Sequence, residues 1–191
     1  EELAKIINPQ RTLGATVEFT DIAGLVRGAS KGEGLGNQFL TNIRNTAAIC
    51  QVVRCFDDPN IVHVEGSVDP IRDIETINTE LIFADLDTVD RALQKSVKLA
   101  RGGNSEAKDL VAALEKCKAE LEEFRLLKNL SFDDKEEDLL KTYQLLTKKP
   151  MMFAVNVSEE DLAVGTNEYV EKVREYAKQH DSEVVVFSAK V

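Results

Sequence analysis

The chain has 191 residues, of which 43% are hydrophobic and 30% charged, and its formal net charge is −10. This length holds one domain of ordinary size, with room for an insertion, and the apolar fraction is enough for a core. The negative net charge excludes binding of nucleic acid by electrostatic attraction over the whole surface, but it allows a local basic patch. No stretch approaches the roughly 20 apolar residues of a membrane span.

The cysteines indicate the compartment. Cys50, Cys55 and Cys117 are odd in number and scattered, and the first two lie in an apolar run that is typical of a strand. We therefore predict buried, reduced thiols in place of a disulfide or a metal site. The compartment is then reducing, and most simply the cytoplasm.

The first strand-like segment covers residues 15–22, in which apolar and polar residues alternate, and it runs into Asp21-Ile22-Ala23-Gly24. This is the DxxG pattern of nucleotide hydrolases. Asp21 would hold a magnesium-bound water, and the backbone N–H of Gly24 would approach the γ-phosphate. Four glycines follow between residues 28 and 36, a density that favours a segment which changes conformation when the γ-phosphate leaves. The alternative is an ordinary strand-to-helix loop with flexible glycines.

A water-orienting side chain is missing beside this pattern. Leu25 follows Gly24, where many nucleotide hydrolases have a glutamine that orients the attacking water, and an apolar side chain cannot do so. His63 is the candidate replacement, because it lies in a polar loop after the second predicted strand, residues 47–56. A neutral imidazole there could accept a water proton or hydrogen-bond the γ-phosphate. The alternative is a histidine in a surface loop.

Helical patterns fill the interval before the third strand. Asp69-Pro70 predicts a helix start, with apolar residues at helical spacing to about Lys98. Residues 101–105 break that helix, and two further helical patterns extend to Pro150. We expect an antiparallel helical arm at 97–148. It would be inserted between a first part, 1–96, and a second part, 149–191, of a nucleotide-binding domain. Its charged surface is either a solvated face or a partner-binding surface.

The third and fourth strands are predicted at 151–157 and 183–187, both nearly continuous apolar runs. Such strands, separated by helices, predict an α/β fold with a mostly parallel sheet, of the P-loop NTPase type, covered by helices on both faces. Each strand is followed by a polar segment at the edge where ligands bind in open parallel sheets. These segments are Asn156-Val157-Ser158-Glu159 and Ser188-Ala189-Lys190.

The first of these segments indicates which nucleotide base the protein prefers. Guanine-specific hydrolases have Asn-Lys-x-Asp at this point, whereas here Val157 replaces the Lys and Glu159 replaces the Asp. Guanine selectivity should therefore be weak, and backbone groups near Val157 could read adenine. Ser188, Ala189 and Lys190 match a loop that packs behind the base. The alternative for the first segment is a turn capped by Asn156 and Ser158.

With these residues in place, the chain closely resembles the YchF family, the Obg-like ATPases of the translation-factor-related P-loop class. The most specific matches are residues 21–37, 53–56, 63–64 and 69–81. The resemblance implies hydrolysis of ATP in preference to GTP, with Mg²⁺, and association with ribosomes. It also implies that His63 compensates for Leu25.

The resemblance further assigns the site residues. Asp21 and Gly24 would serve the metal and the γ-phosphate, and the base would be surrounded by Asn156, Val157, Glu159, Ser188, Ala189 and Lys190. It implies a three-part protein with a Walker A loop before these residues and a TGS domain after them. We expect the 191 residues to be a fragment of it and inactive alone. The competing hypotheses are a non-catalytic ribosome- or protein-binding module and an Obg-type GTPase. No membrane or sequence-specific DNA partner is expected.

Overall fold

The structure, a computed structural model, describes residues 16–22, 36–58 and 66–189. Three parallel strands form its sheet in the order β1-β2-β3: β1 is Ile49–Arg54, β2 is Met151–Asn156 and β3 is Glu183–Phe187. In the register, Arg54 pairs with Asn156, which in turn pairs with Phe187. The predicted α/β class with a parallel sheet is confirmed, and the three strands end together at one edge.

Six helices accompany the sheet in the described residues. Helix α1, Gly36–Arg44, precedes β1. Between β1 and β2 lie α2 (Pro70–Arg101), α3 (Ser105–Glu122) and α4 (Asp134–Leu140), with 3-10 turns at Leu127–Asn129 and Lys141–Tyr143. Between β2 and β3 lie α5 (Glu159–Val164) and α6 (Glu168–Gln179).

Helix α2 begins where the sequence predicts. The Asp69 side chain accepts a hydrogen bond from the Arg72 N–H at 3.2 Å, and Pro70 occupies the first helical position, where its missing N–H costs nothing. The helix ends at Arg101, three residues after the predicted Lys98, and Asn104 caps α3 by accepting from the Ala107 N–H at 2.9 Å. Helices α2 and α3 pack side by side as a hairpin.

The predicted arm boundary at residue 97 lies inside α2, whose 32 residues supply one side of the hairpin. Helix α3 ends at Glu122, and the third helical pattern gives only the seven residues of α4. The reason is local: Phe124 after α3 and Gln144 after the turn that follows α4 have left-handed backbones, with φ of 55° and 48°, that a helix cannot continue. The division of the chain into 1–96, 97–148 and 149–191 stays a prediction.

The strand predicted at residues 15–22 is not observed, because residues 16–22 have no regular secondary structure. Alternation of apolar and polar residues predicts a strand only if a partner strand supplies the ladder hydrogen bonds. Within the described residues, the sheet contains β1, β2 and β3 alone, and the side chains of Val17 and Phe19 are 77% and 75% exposed.

The core has two parts. In one, apolar residues of α2 and α3 enclose Leu114, Cys117 and Leu121, and Leu40 and Ile43 of α1 join them. In the other, α2 and α6 cover one sheet face, where Phe153 and Val155 are buried. We expected helices on both faces, but among the described residues the opposite face carries Val52 and Val185, which are 68% and 49% exposed.

The cysteines agree with the prediction of reduced thiols. All three are free; Cys55 and Cys117 are fully buried, and Cys50 is partly buried. Burial raises the pKa of both Cys55 and Cys117 to about 12, so that their thiols stay protonated and unreactive at neutral pH. No helix in the described part of the chain is both long enough and apolar enough to cross a membrane.

Candidate functional site

The candidate site is the edge where the three parallel strands end. Residues 55–58 follow β1, residues 157–158 follow β2 and residues 188–189 follow β3. In a parallel sheet these segments lie side by side, and they meet here through backbone hydrogen bonds: the Cys55 N–H donates to the Asn156 carbonyl at 2.8 Å. The Val157 N–H donates to the Phe187 carbonyl at 2.9 Å, so the described parts of the two segments predicted to surround a base, 156–159 and 188–189, are adjacent.

Asn156 joins these two segments directly. Its side-chain oxygen accepts a hydrogen bond from the backbone N–H of Ala189 at 2.9 Å. The bond spans the gap between the end of β2 and the turn after β3, so it fixes the turn at residues 188–189 relative to the sheet. Its role in this structure is to shape the edge, and substitution by a residue without the amide would release the turn.

Val157 contributes through its backbone. Its side chain is 2% exposed and packs in the core below α6, so it cannot cover a base as a lysine stem would. Its N–H donates to the Phe187 carbonyl at 2.9 Å. A base contact by the backbone at this position therefore falls to the carbonyl.

Ser158 and Glu159 begin α5. The Ser158 hydroxyl oxygen accepts from the Asp161 N–H at 3.1 Å, so Ser158 alone caps the helix, and Asn156 is engaged elsewhere. Of the alternative, a turn capped by Asn156 and Ser158, only the Ser158 cap is found. Glu159 is exposed and shares the first turn of α5 with Glu160 and Asp161, where carboxylates favour the positive end of the helix dipole.

The hydroxyl of Ser188 is buried, and it has no hydrogen-bond partner among the described residues. Leaving a buried hydroxyl unpaired costs about 1 to 3 kcal/mol, so such groups are rare in folded proteins and commonly mark a place where another molecule completes the bonding. Ser188 lies directly after β3, beside the Asn156–Ala189 bond.

Of the other predicted site residues, Asp21 alone is among the described residues, and it is exposed in a segment without regular secondary structure, outside the sheet. Gly24, His63 and Lys190 lie outside the described residues, as does Leu25. The described residues therefore contain the part of the site predicted to face a base, and the assignments of Gly24, His63 and Asp21 to the phosphates and the metal stay predictions.

Asn167 was not predicted from the sequence, and it stabilises the edge where the strands end by linking the elements beside it. Its amide nitrogen donates to the Cys55 carbonyl at 2.7 Å and to the Asp161 carboxylate at 2.9 Å, and its oxygen caps α6 at Val170. One side chain thus ties the end of β1 to both helices that follow β2. A capping signal was present, since Gly165 ends α5 and Asn167 stands directly before the next helix.

A buried carboxylate was also missed. Asp85 on α2 is 0% exposed and accepts hydrogen bonds from the Leu146 N–H at 2.9 Å, the Thr147 N–H at 2.8 Å and the Thr147 hydroxyl at 2.7 Å. The Arg44 guanidinium lies 3.9 Å away. Burial raises the pKa of Asp85 above its usual range, while these donors and Arg44 oppose the shift.

Arg44 brings the end of α1 into this arrangement. Its guanidinium donates to the Gln144 carbonyl at 3.2 Å and to the Thr88 hydroxyl at 3.1 Å. The Lys149 ammonium in turn donates to the Arg44 carbonyl at 3.0 Å. Helix α1 follows the glycine-rich segment in sequence, so the helix next to the predicted phosphate switch is fixed to α2 and to the segment before β2.

The sequence was compared with known proteins. No family model matches it. The protein named "Ribosome-binding ATPase YchF" of Escherichia coli O157:H7 is 52% identical over 191 residues, which are 100% of this chain and 52% of that protein. The protein of the same name in Bacillus subtilis strain 168 is 47% identical over 192 residues, again 100% of this chain and 52% of that protein. The chain therefore spans about half the length of the curated relatives it matches.

A solved structure also matches. That of the Schizosaccharomyces pombe YchF GTPase superposes with a TM-score of 0.79 at 36% identity, covering 98% of this chain and 52% of that one. Sequence and fold thus agree over essentially the whole chain.

Proposed function

The chain belongs to the YchF family along its whole length, and from this premise we propose that it forms part of a ribosome-associated P-loop NTPase. This enzyme hydrolyses ATP, in preference to GTP, to ADP and phosphate, and acts as a nucleotide-dependent switch in translation or the stress response. The observation that carries the proposal is the Asn156–Ala189 hydrogen bond of 2.9 Å, which joins the two base segments at the strand ends. The names of the two bacterial relatives support ATP hydrolysis and ribosome binding, whereas the Schizosaccharomyces pombe relative is named a GTPase.

The preference for adenine rests on Val157 and Glu159. With Val157 buried and its N–H already bonded, the backbone carbonyl is left to meet the base. A carbonyl oxygen accepts a hydrogen bond from the 6-amino group of adenine and repels the 6-oxo group of guanine. Glu159 is exposed on α5, one methylene longer than the aspartate that reads guanine. Ser188 offers a buried hydroxyl that a ligand could bond.

Mg²⁺ fits the exposed carboxylate of Asp21, because hard oxygen ligands suit this ion and it retains several waters when bound beside phosphates. Among the described residues no three His, Cys, Asp or Glu side chains form a metal site. When bound, the ion neutralises charge on the phosphates. In the proposal the Gly24 N–H donates to the γ-phosphate, and His63 accepts a proton from water or hydrogen-bonds that phosphate.

We expect the full-length protein to bind ATP at least tenfold more tightly than GTP, and Asn156→Ala to raise the Kd for ATP about 2- to 13-fold. The substitution removes the bond that holds the turn at 188–189, and one such hydrogen bond contributes about 0.5 to 1.5 kcal/mol. Isothermal titration calorimetry with the two nucleotides and Mg²⁺ measures both quantities.

Asn104→Ala is the matched control. It removes a cap of similar strength at α3, far from the strand ends, so the Kd for ATP should stay within twofold of the wild-type value. Equal losses in the two variants, or a wild-type protein that prefers GTP tenfold, would contradict the proposal.

A further inference from the structure

Exposed cations gather at the far end of the hairpin. We define the hairpin tip as residues 95–108, which comprise the last two turns of α2, the turn at 102–104 and the first turn of α3. The tip carries four cations and one carboxylate, Glu106. Its net charge is thus +3, and the remaining residues carry −13. The four cations, all exposed, are Lys95, Lys98, Arg101 and Lys108.

Other cations on and beside the hairpin differ, because they are paired. The Lys118 ammonium lies 2.7 Å from the Asp90 carboxylate, and Lys116 lies 2.8 Å from Glu136. Arg91 pairs with Asp87, and Lys135 with Asp109. Within the described part of the chain, none of the four tip cations forms an ion pair or a side-chain hydrogen bond. Carboxylates neutralise the hairpin along its length and leave the tip positive.

The tip is the end of the hairpin at which α2 turns into α3. Arg101 lies eleven residues beyond Asp90, which pairs with Lys118 of α3, and at 1.5 Å per residue this is about 16 Å along the helix. On the α3 side the tip adjoins Asp109, whose carboxylate pairs with Lys135 of α4. Lys95, Lys98 and Arg101 follow one another at intervals of three along α2 and span about 9 Å. The turn itself is Gly102-Gly103, and Gly103 has φ of +90° and open space around it. No side chain at the turn prevents the close approach of a large partner.

A positive tip on an acidic chain fits a polyanion, since the charge of the remaining surface repels such a partner and turns the tip toward it. The tip contains no aromatic residue, so it cannot stack on bases and would contact phosphates without regard to sequence. We propose that the hairpin tip is a docking surface for the phosphate backbone of RNA. The inference deepens the proposed ribosome association, on which it rests for its biological setting, and it needs nothing from the nucleotide site.

The test replaces three tip cations in the full-length protein, Lys95→Ala, Lys98→Ala and Arg101→Ala. Alanine maintains the helix, and ATP binding should be unchanged because the tip is far from the strand ends. Binding to a 24-base-pair RNA duplex, followed by fluorescence anisotropy over a series of salt concentrations, should weaken at least tenfold at 100 mM salt. The slope of log Kd against log salt should fall by about 2 to 3, one for each lost phosphate contact.

The control carries the same change of charge on α6: Lys172→Ala, Arg174→Ala and Lys178→Ala, all exposed. Its affinity for RNA should stay within twofold of the wild-type value. The inference is overturned if both triple variants weaken equally, if the tip variant binds RNA normally, or if it loses binding to poly-glutamate and not to RNA, which would identify an acidic protein as the partner.

Ribosome pelleting separates the two proposals. If the wild-type protein binds the RNA duplex through the tip but does not sediment with ribosomes, the tip inference holds and the proposed ribosome association fails. If it sediments with ribosomes equally well with and without the tip cations while RNA binding is also unaffected, the ribosome association holds and the tip inference fails.

Discussion

Replacing Asp85 with alanine is expected to lower the free energy of unfolding by about 3 to 5 kcal/mol. The carboxylate is fully buried and accepts from two backbone N–H groups and one hydroxyl of the segment before β2. Its removal leaves those donors without their acceptor in the interior and takes away the carboxylate 3.9 Å from the Arg44 guanidinium, which keeps its bonds to Thr88 and Gln144. Each buried group without a partner costs about 1 to 3 kcal/mol, and breaking a buried charge pair costs about 3 to 5 kcal/mol.

Equilibrium urea denaturation followed by circular dichroism measures this loss. The control is Asp87→Ala, two residues further along α2, where an exposed carboxylate pairs with Arg91. Exposed pairs contribute about 0 to 1 kcal/mol, so the control should remain close to wild type. Equal stabilities for the two variants would show that Asp85 does not fix the segment at 146–147 as described.

The second large effect is expected for Leu114→Ala, which should destabilise the protein by about 2 to 5 kcal/mol. Leu114 is 0% exposed in the core between α2 and α3, so the substitution leaves a cavity that neighbouring helices can only partly fill. Leu99→Ala makes the same chemical change on a side chain that is 61% exposed, and it should cost less than about 1 kcal/mol. Thermal unfolding of both variants compares them, and a smaller loss at Leu114 than at Leu99 would contradict the packing of the hairpin.

The sequence predicted those parts of the fold that depend on local chemistry. The fourth predicted strand, 183–187, is β3 in the structure and occupies the same residues, because a run of apolar residues ends at turns on both sides. Helix α2 begins as predicted because Asp69 and Pro70 together specify a helix start. Leu114 and Cys117 are buried, as their helical spacing indicated.

Features that depend on distant partners were not predictable. The alternation in residues 15–22 resembles a strand, but the described residues supply no neighbour for it. Asp85 looks like one of many charged residues on a helix, and only the fold brings Leu146 and Thr147 to it.

At the candidate site the sequence located the segments but not the bonds between them. Asn156, Glu159 and Ser188 are identified because they lie at or shortly after the end of a predicted strand, and parallel strands end at one edge. That Asn156 bonds to Ala189, that Val157 is buried and that Asn167 braces the edge depend on side-chain packing across elements. These contacts fix the positions of the segments that the sequence pattern identifies.

Hydrogen–deuterium exchange of the full-length protein, with and without ATP and Mg²⁺, tests most directly whether the strand ends bind the base. We predict slower exchange on ATP binding in peptides that cover residues 155–160 and 186–190, because Asn156 joins the two segments. Peptides from the middle of α3, which is remote from these strand ends, should be unaffected. Slower exchange elsewhere in the protein, with no change at these two segments, would contradict the assignment of the base site.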